Sequence, residues 1–82
     1  MKLHYKLKQD IVARIASNLA WELGQMKSSV RISCEKRDIN GKSLVGLLTG
    51  YFRFGEEITV TFDEEKYLEQ IKDLFKEIGD EI

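Results

Sequence analysis

The stretch QDIVARIASNLAWELG, Gln9 to Gly24, decides the fold, because the hydrophobic period of the chain changes there from that of a strand to that of a helix. Residues 12–24 are predicted to form the first helix, with one apolar stripe along it. The stripe comprises Val12, Ile15, Ala16, Leu19, Ala20 and Leu23. Trp21 lies about 140° from the centre of this stripe at 100° per residue, so the tryptophan is either covered by a loop or displayed to a partner.

Three other segments carry an apolar residue at every second position and predict β-strands. They are residues 2–8, Val30 to Glu35 and Glu57 to Phe62. The segment KRDI, residues 36–39, predicts a weaker strand, since Ile39 is its only apolar residue. Ser43 precedes the apolar segment LVGLLTG and is the predicted N-cap of a short second helix. Acidic residues followed by an apolar stripe predict a full C-terminal helix over residues 63–82.

The resulting order, β-α-β-β-α-β-α, predicts an α+β open-faced β-sandwich. Each strand has one apolar face and each long helix has one apolar stripe. A four-stranded antiparallel sheet with the helices on one face buries all of these surfaces together. The 82 residues suffice for one compact core and contain no linker or repeat. We therefore expect a single domain that spans residues 1–82.

Composition argues against several classes of partner. Thirteen basic and fourteen acidic residues give a net charge of −1, which provides no field to hold a nucleic-acid backbone or an anionic membrane. The first ten residues alternate in polarity and resemble neither a signal peptide nor a membrane span. A single cysteine, Cys34, allows no internal disulfide and no multi-cysteine metal site. We expect a cytoplasmic protein with no cofactor and no metal.

Few side chains of this chain could carry chemistry. His4, the only histidine, falls on the polar face of the first strand, without a sequence neighbour that would orient it as a base. Cys34 falls on the core face, where a thiol behaves as a small hydrophobe. The segment YFRFG, residues 51–55, places three aromatic residues near each other. An RNA-recognition motif would carry aromatics on its central strands, and KRDI has none, so we interpret YFRFG as loop packing.

Three segments of the sequence resemble the histidine-containing phosphocarrier protein HPr of the bacterial phosphotransferase system. Where the family has Gly-[Ile/Leu]-His-Ala-Arg-Pro-Ala, this chain has DIVARIA, with four matching residues. These are Ile11, Ala13, Arg14 and Ala16, whereas Asp10, Val12 and Ile15 depart from the motif. GKSLVG, with Ser43 placed 31 residues after Val12, corresponds to the family's LKSIMG without a gap. GEEITVTF corresponds to the family's GAEITIS.

The resemblance implies a family role that this chain has lost in part. In HPr, the histidine of the first motif carries a phosphoryl group from enzyme I to sugar-specific IIA proteins. Val12 stands at that position and has no nucleophilic nitrogen, so the chain is expected to have no catalytic residue and no carrier activity. Ser43 is retained. In some bacteria a dedicated kinase phosphorylates this serine, and a branch of HPr-like proteins without the histidine acts only through it, as cofactor of a transcription regulator.

The resemblance also implies a docking face on the outer side of the first helix and on the short helix. By position it contains Ser17, Trp21, Leu44, Val45 and Leu48, with Arg14 as an anion-binding candidate and Ser43 as the candidate phosphorylation site. Our leading hypothesis is a non-catalytic HPr-like adaptor. Its partner would be a transcription regulator, a kinase or a phosphotransferase-system component. The alternatives are a competitor that docks on phosphotransferase-system proteins and a homodimeric domain of unrelated role.

Overall fold

The computed structural model describes residues 1–82 and contains five strands and three helices. The strands are β1 (Lys2–Leu7), β2 (Val30–Cys34), β3 (Arg37–Asn40), β4 (Glu57–Phe62) and β5 (Gly79–Glu81). The helices are α1 (Ala13–Gly24), α2 (Leu44–Thr49) and α3 (Leu68–Lys76), and a 3₁₀ turn, Glu65–Tyr67, precedes α3. None of the helices has the length and apolar character that a membrane crossing requires.

All neighbouring strands of the single sheet are antiparallel, in the order β3-β2-β4-β1-β5. Val60 of β4 stands opposite both Leu3 of β1 and Ile32 of β2, so apolar side chains of neighbouring strands share one face. Polar residues occupy the other face, where Thr59 pairs with His4 and Ser33. The predicted α+β open-faced sandwich, with the helices on one face of the sheet, is confirmed.

The core lies between the apolar face of the sheet and the helices. Helix α1 contributes Ala16, Leu19 and Leu23, which are three of the six residues predicted for its buried stripe. Tyr5 of β1 packs against Phe75 of α3, with ring centroids 5.6 Å apart. Burial of that tyrosine, reinforced by the charge of Glu81, raises its pKa to about 12. This packing fixes α1 and α3 against the sheet.

The prediction of four strands is wrong, and the C-terminal helix predicted over residues 63–82 is present but shorter. Helix α3 ends at Lys76, and the chain then forms β5, which pairs with β1 along the edge that β4 leaves free. Pairing satisfies backbone groups of β1 that would otherwise lie at an open sheet edge. Gly79 opposes Leu7 in this ladder and approaches the chain so closely that a Cβ atom would lie 2.9 Å from the carbonyl oxygen of Lys6.

Gly79→Ala is therefore expected to reduce the free energy of unfolding by about 1–3 kcal/mol, because the added methyl group forces β5 away from β1. Gly24→Ala is the matched control, since outside its own helix backbone and chain neighbours no atom lies within 4 Å of its hypothetical Cβ. Alanine at the end of α1 should leave stability unchanged or raise it slightly. Urea unfolding followed by circular dichroism measures both variants, and equal stabilities would contradict the close approach of β5.

Candidate functional site

Most large hydrophobic residues exposed to solvent lie in three adjoining segments. Nine such residues are exposed, and only Met1 and Ile82, at the chain termini, lie elsewhere. The other seven are Val12, Trp21, Leu44, Val45, Leu48, Tyr51 and Phe54, and we call them the apolar surface. They belong to the start and outer side of α1, to α2, and to the loop that follows α2. Exposed apolar residues that concentrate in one region are typical of an interaction site.

Helix α1 displays its tryptophan. Trp21 is 64% exposed, so no loop covers it, and Ser17 and Arg14 are exposed as well. Helix α2 packs against α1, which brings the outer sides of the two helices next to each other. Arg14 takes part in none of the ion pairs of the chain, so its charge remains available.

The start of α2 is held by its capping serine. Ser43 Oγ accepts a hydrogen bond from the Gly46 N–H at 3.0 Å, which confirms the predicted N-cap. Leu47 is the one fully buried residue of this helix. Leu44, Val45 and Leu48 are the outward-facing residues of α2, and Val45 is 69% exposed. A partner that contacts this helix would therefore meet an aliphatic cluster directly beside the Ser43 hydroxyl.

The start of α1, where the resemblance places the histidine of the HPr motif, offers no nucleophilic nitrogen. Val12 is the N-cap residue, it is 52% exposed, and it offers no side-chain hydrogen bond to the first turn. The first turn of α1 contains no acidic residue. Immediately upstream, Asp10 Oδ1 accepts a hydrogen bond from the Phe54 N–H at 2.7 Å, and Oδ2 lies 3.7 Å from Arg53 Nε. A carboxylate with two contacts to the loop after α2 thus stands where the HPr motif has glycine.

The loop after α2 is only partly a packing element, which corrects the interpretation of YFRFG. Phe52 is buried, and its carbonyl accepts a hydrogen bond from the Ile11 N–H at 2.9 Å. Tyr51 and Phe54, in contrast, are 65% and 70% exposed. Sequence reasoning missed both residues as part of the apolar surface. The only available signal was their spacing, since a loop with three aromatics in four positions cannot bury all of them.

A half-buried cluster that the sequence did not suggest lies beneath this loop. Arg37 forms an ion pair with Glu56 and donates from Nη2 to Cys34 Sγ at 3.1 Å. The hydrogen bond from Arg37 lowers the pKa of the Glu56 carboxyl, and the same bond raises the pKa of Arg37. Burial raises the pKa of the Cys34 thiol, which opposes formation of a nucleophilic thiolate.

Ligand atoms of Cys34, Glu35 and Glu56 lie within 4.8 Å of one another, an arrangement that metal ions use elsewhere. Here the guanidinium of Arg37 already neutralises Glu56 and places a positive charge inside the group. We therefore interpret the cluster as an ion pair that organises the fold. His4 lies on the opposite, polar face of the sheet, as predicted, with Nδ1 3.1 Å from Thr59 Oγ1.

Comparison with known proteins identifies the same family. Residues 2–77 match the family described as the PTS HPr component phosphorylation site. A histidine-containing phosphocarrier protein from Mycoplasma shares 26% identity and superposes with a TM-score of 0.86, covering 94% of this chain and 93% of that chain. HPr from Bacillus anthracis shares 22% identity, with a TM-score of 0.77 and coverages of 95% and 93%.

The Bacillus subtilis catabolite repression protein Crh, an intertwined dimer with a swapped domain, is also similar. It shares 28% identity with this chain and has a TM-score of 0.67, with 84% of this chain and 79% of that chain covered. No curated protein sequence matches the chain significantly.

The Arg37–Glu56 ion pair should make stability depend on pH in a defined direction. Folding lowers the pKa of Glu56, so the ionised carboxylate stabilises the folded state at pH values above the ordinary carboxyl pKa. This stabilisation is lost as the pH falls through the pKa that Glu56 has in the folded chain. At pH 7, Glu56→Gln should lower the free energy of unfolding by about 1–2 kcal/mol relative to the wild type.

That difference between Glu56→Gln and the wild type should shrink below about pH 4. Urea unfolding at pH 7 and pH 3 measures it, with Glu57→Gln, a change at the exposed neighbouring carboxylate, as control. If Glu56→Gln loses the same free energy of unfolding at pH 7 and at pH 3, the charge of Glu56 contributes nothing to stability.

Proposed function

Since the chain belongs to the HPr family of the phosphotransferase system, we propose that it is a non-catalytic regulatory member, which binds protein partners without carrying a phosphoryl group. The observation that carries this proposal is the aliphatic side chain of Val12 at the N-cap of α1. Phosphoryl transfer through a protein needs a nucleophile at the acceptor position, and Val12 provides none. The nearby Asp10 carboxylate is already engaged by the Phe54 N–H and by Arg53. Recognition is the function that remains.

The apolar surface supports binding of a protein rather than of a small molecule. Its residues lie on the outer sides of two packed helices and a loop, where a second protein can cover them together. Trp21 is the largest of them, and exposed tryptophans are prominent among residues that dominate binding energy. The proposed partner is a transcription regulator, a kinase or a phosphotransferase-system component in the cytoplasm.

Ser43 is the proposed regulatory site on this surface. A phosphate on its hydroxyl would lie at the N-terminus of α2, where backbone N–H groups favour an anion. The new charge would border Leu44 and Val45, and would thereby change which partners the aliphatic cluster accepts. An unmodified serine in the same place already functions as a helix cap, so modification is a second role added to a structural one.

A second candidate function is competition, in which the protein docks on enzyme I or a IIA protein without receiving phosphate. The charge of Arg14, which takes part in none of the ion pairs of the chain, favours it. A third candidate is a homodimer in which a second copy covers Trp21, and the dimeric state of Crh makes it worth testing. Sedimentation velocity over a dilution series separates self-association from an adaptor that remains monomeric.

The first test asks whether the protein accepts phosphate from the upstream transferase. Incubation with enzyme I and phosphoenolpyruvate should leave its mass unchanged, because Val12 provides no acceptor nitrogen. An authentic HPr in the same reaction serves as the positive control. Acid-labile phosphate on this chain would overturn the proposal, and an altered migration of enzyme I without phosphate on the chain would favour competition.

The second test concerns Ser43 and the apolar surface together. An HPr kinase with ATP should add one phosphate to the wild type and none to Ser43→Ala.

Trp21→Ala should lower kcat/KM for this reaction about 10-fold, because an interface aromatic is lost. The fold should be kept, since Trp21 is not buried in it. Ile82→Ala, a change at an exposed hydrophobic residue outside the surface, should have no effect.

Label that persists in Ser43→Ala would remove Ser43 as the site. Equal kcat/KM values for Trp21→Ala and Ile82→Ala would remove the tryptophan from the docking surface.

A further inference from the structure

We infer that Arg37 and Glu56 are positioning residues that hold the loop after α2 so that Tyr51 and Phe54 project toward the protein partner. This inference rests on the proposed function, because it assigns the exposed aromatic pair to the same docking surface as Trp21. Its support lies in the backbone geometry of the loop, in the contacts of the ion pair, and in the direction of the two aromatic side chains.

The backbone at Tyr51 has an unfavourable conformation that something must maintain. Its φ angle is +54°, in the left-handed region that bulky L-residues rarely adopt. Arg37 Nη1 donates to the carbonyl oxygens of Gly50 at 2.9 Å and of Tyr51 at 3.0 Å. One guanidinium therefore binds the peptide groups on both sides of the strained residue and offsets the cost of its conformation.

Glu56 holds the following part of the loop. Its Oε1 accepts a hydrogen bond from the Arg53 N–H at 2.7 Å while the carboxylate remains paired with Arg37. Between these two anchors, Phe52 is buried, with the Arg37 guanidinium carbon 5.2 Å from its ring centroid. Close packing leaves no room for a side chain at position 50, where a Cβ atom would lie 2.6 Å from the Phe52 ring.

The consequence of these contacts is a pair of outward-facing aromatic rings. Burying Phe52 within a tightly anchored loop leaves Tyr51 and Phe54 in solvent, and Arg53 stacks on the Tyr51 ring at 4.6 Å. The loop follows α2 directly and is hydrogen-bonded to Asp10 and Ile11 just before α1, so its aromatics continue the surface of the two helices. Aromatics fixed before binding lose little conformational entropy when a partner covers them.

The partner should accordingly have an apolar depression that receives Phe54 or Tyr51 in addition to the contact with α1 and α2. Arg53 lies beside these rings, and although its Nε is 3.7 Å from Asp10 Oδ2, its side chain is half exposed and fits a partner with a carboxylate at the rim of that depression. This chemistry describes an extension of the proposed docking site rather than a separate one.

Amide hydrogen exchange measured by NMR at pH 7 tests the positioning role without any partner. In Arg37→Gln, the Arg53 amide should exchange about 10-fold faster than in the wild type, because Glu56 is released from its ion pair and no longer holds that N–H. Arg31→Gln is the matched control, since it breaks the exposed ion pair with Asp38 on β2 and β3, away from the loop. Amides of β4 should remain protected in both variants.

Should Arg37→Gln fail to fold, Glu56→Asp gives the same reading, because the shorter side chain cannot reach Arg37 and the Arg53 N–H together. If a variant folds and its Arg53 amide exchanges at the wild-type rate, the inference is overturned.

The kinase reaction described above gives the second readout. Arg37→Gln should reduce kcat/KM, whereas Arg31→Gln should not. Suppose that Trp21→Ala impairs the kinase reaction, and that Arg37→Gln has a fast-exchanging Arg53 amide but a wild-type kcat/KM. This result also overturns the positioning role. If Trp21→Ala has no effect either, the proposed docking surface itself fails.

Discussion

The fold depends on one constraint, which is that helices cover only one face of the sheet. Every strand must then place its apolar side chains on that face, and the pairing of Val60 with Leu3 and Ile32 shows the register that results. The helices use their inner sides for the core, as Leu19 and Leu23 of α1 illustrate. Their outer sides contribute nothing to burial and are therefore free to vary for recognition.

This division explains how the chain can keep an HPr fold while it departs from the phosphocarrier motif. The core residues of α1 lie on the side opposite Arg14 and Trp21, so changes at the start and outer side of the helix leave the packing intact. Val12 still caps α1 by its backbone conformation, which is extended, although its side chain makes no capping hydrogen bond. In the proposed function, Val12 in place of the acceptor histidine would remove a reaction without removing the helix start that carried it.

Sequence periodicity predicted the parts of the structure that local patterns determine. Strands β1, β2 and β4, helix α1 and the Ser43 cap follow from alternation, helical spacing and cap preference. Strand β3 was predicted at residues 36–39 and is found at Arg37–Asn40. Strand β5 could not be predicted in this way, because its residues have no alternation and form a strand only by pairing with β1 at the far end of the chain.

The apolar surface shows the same limit. Trp21 and the aliphatic residues of α2 were predictable, because helical spacing shows which side of a helix is not needed for the core. Tyr51 and Phe54 were not, since their exposure depends on Arg37 and Glu56, which are 19 residues apart in sequence and meet only in the folded chain. A left-handed tyrosine likewise has no sequence signal, because the same residue adopts extended conformations in most contexts.

The position of Ser43 is compatible with both its observed structural role as a helix cap and the proposed regulatory role. A cap serine offers an oxygen to the Gly46 N–H, and phosphate oxygens on the same side chain can still accept from that donor. Modification at this site would therefore preserve the start of α2 while it places charge beside Leu44 and Val45. At a buried position the same phosphate would disrupt packing, and at an exposed position away from α2 it would not alter the apolar surface. A helix cap on the rim of the proposed docking surface would meet both requirements at once.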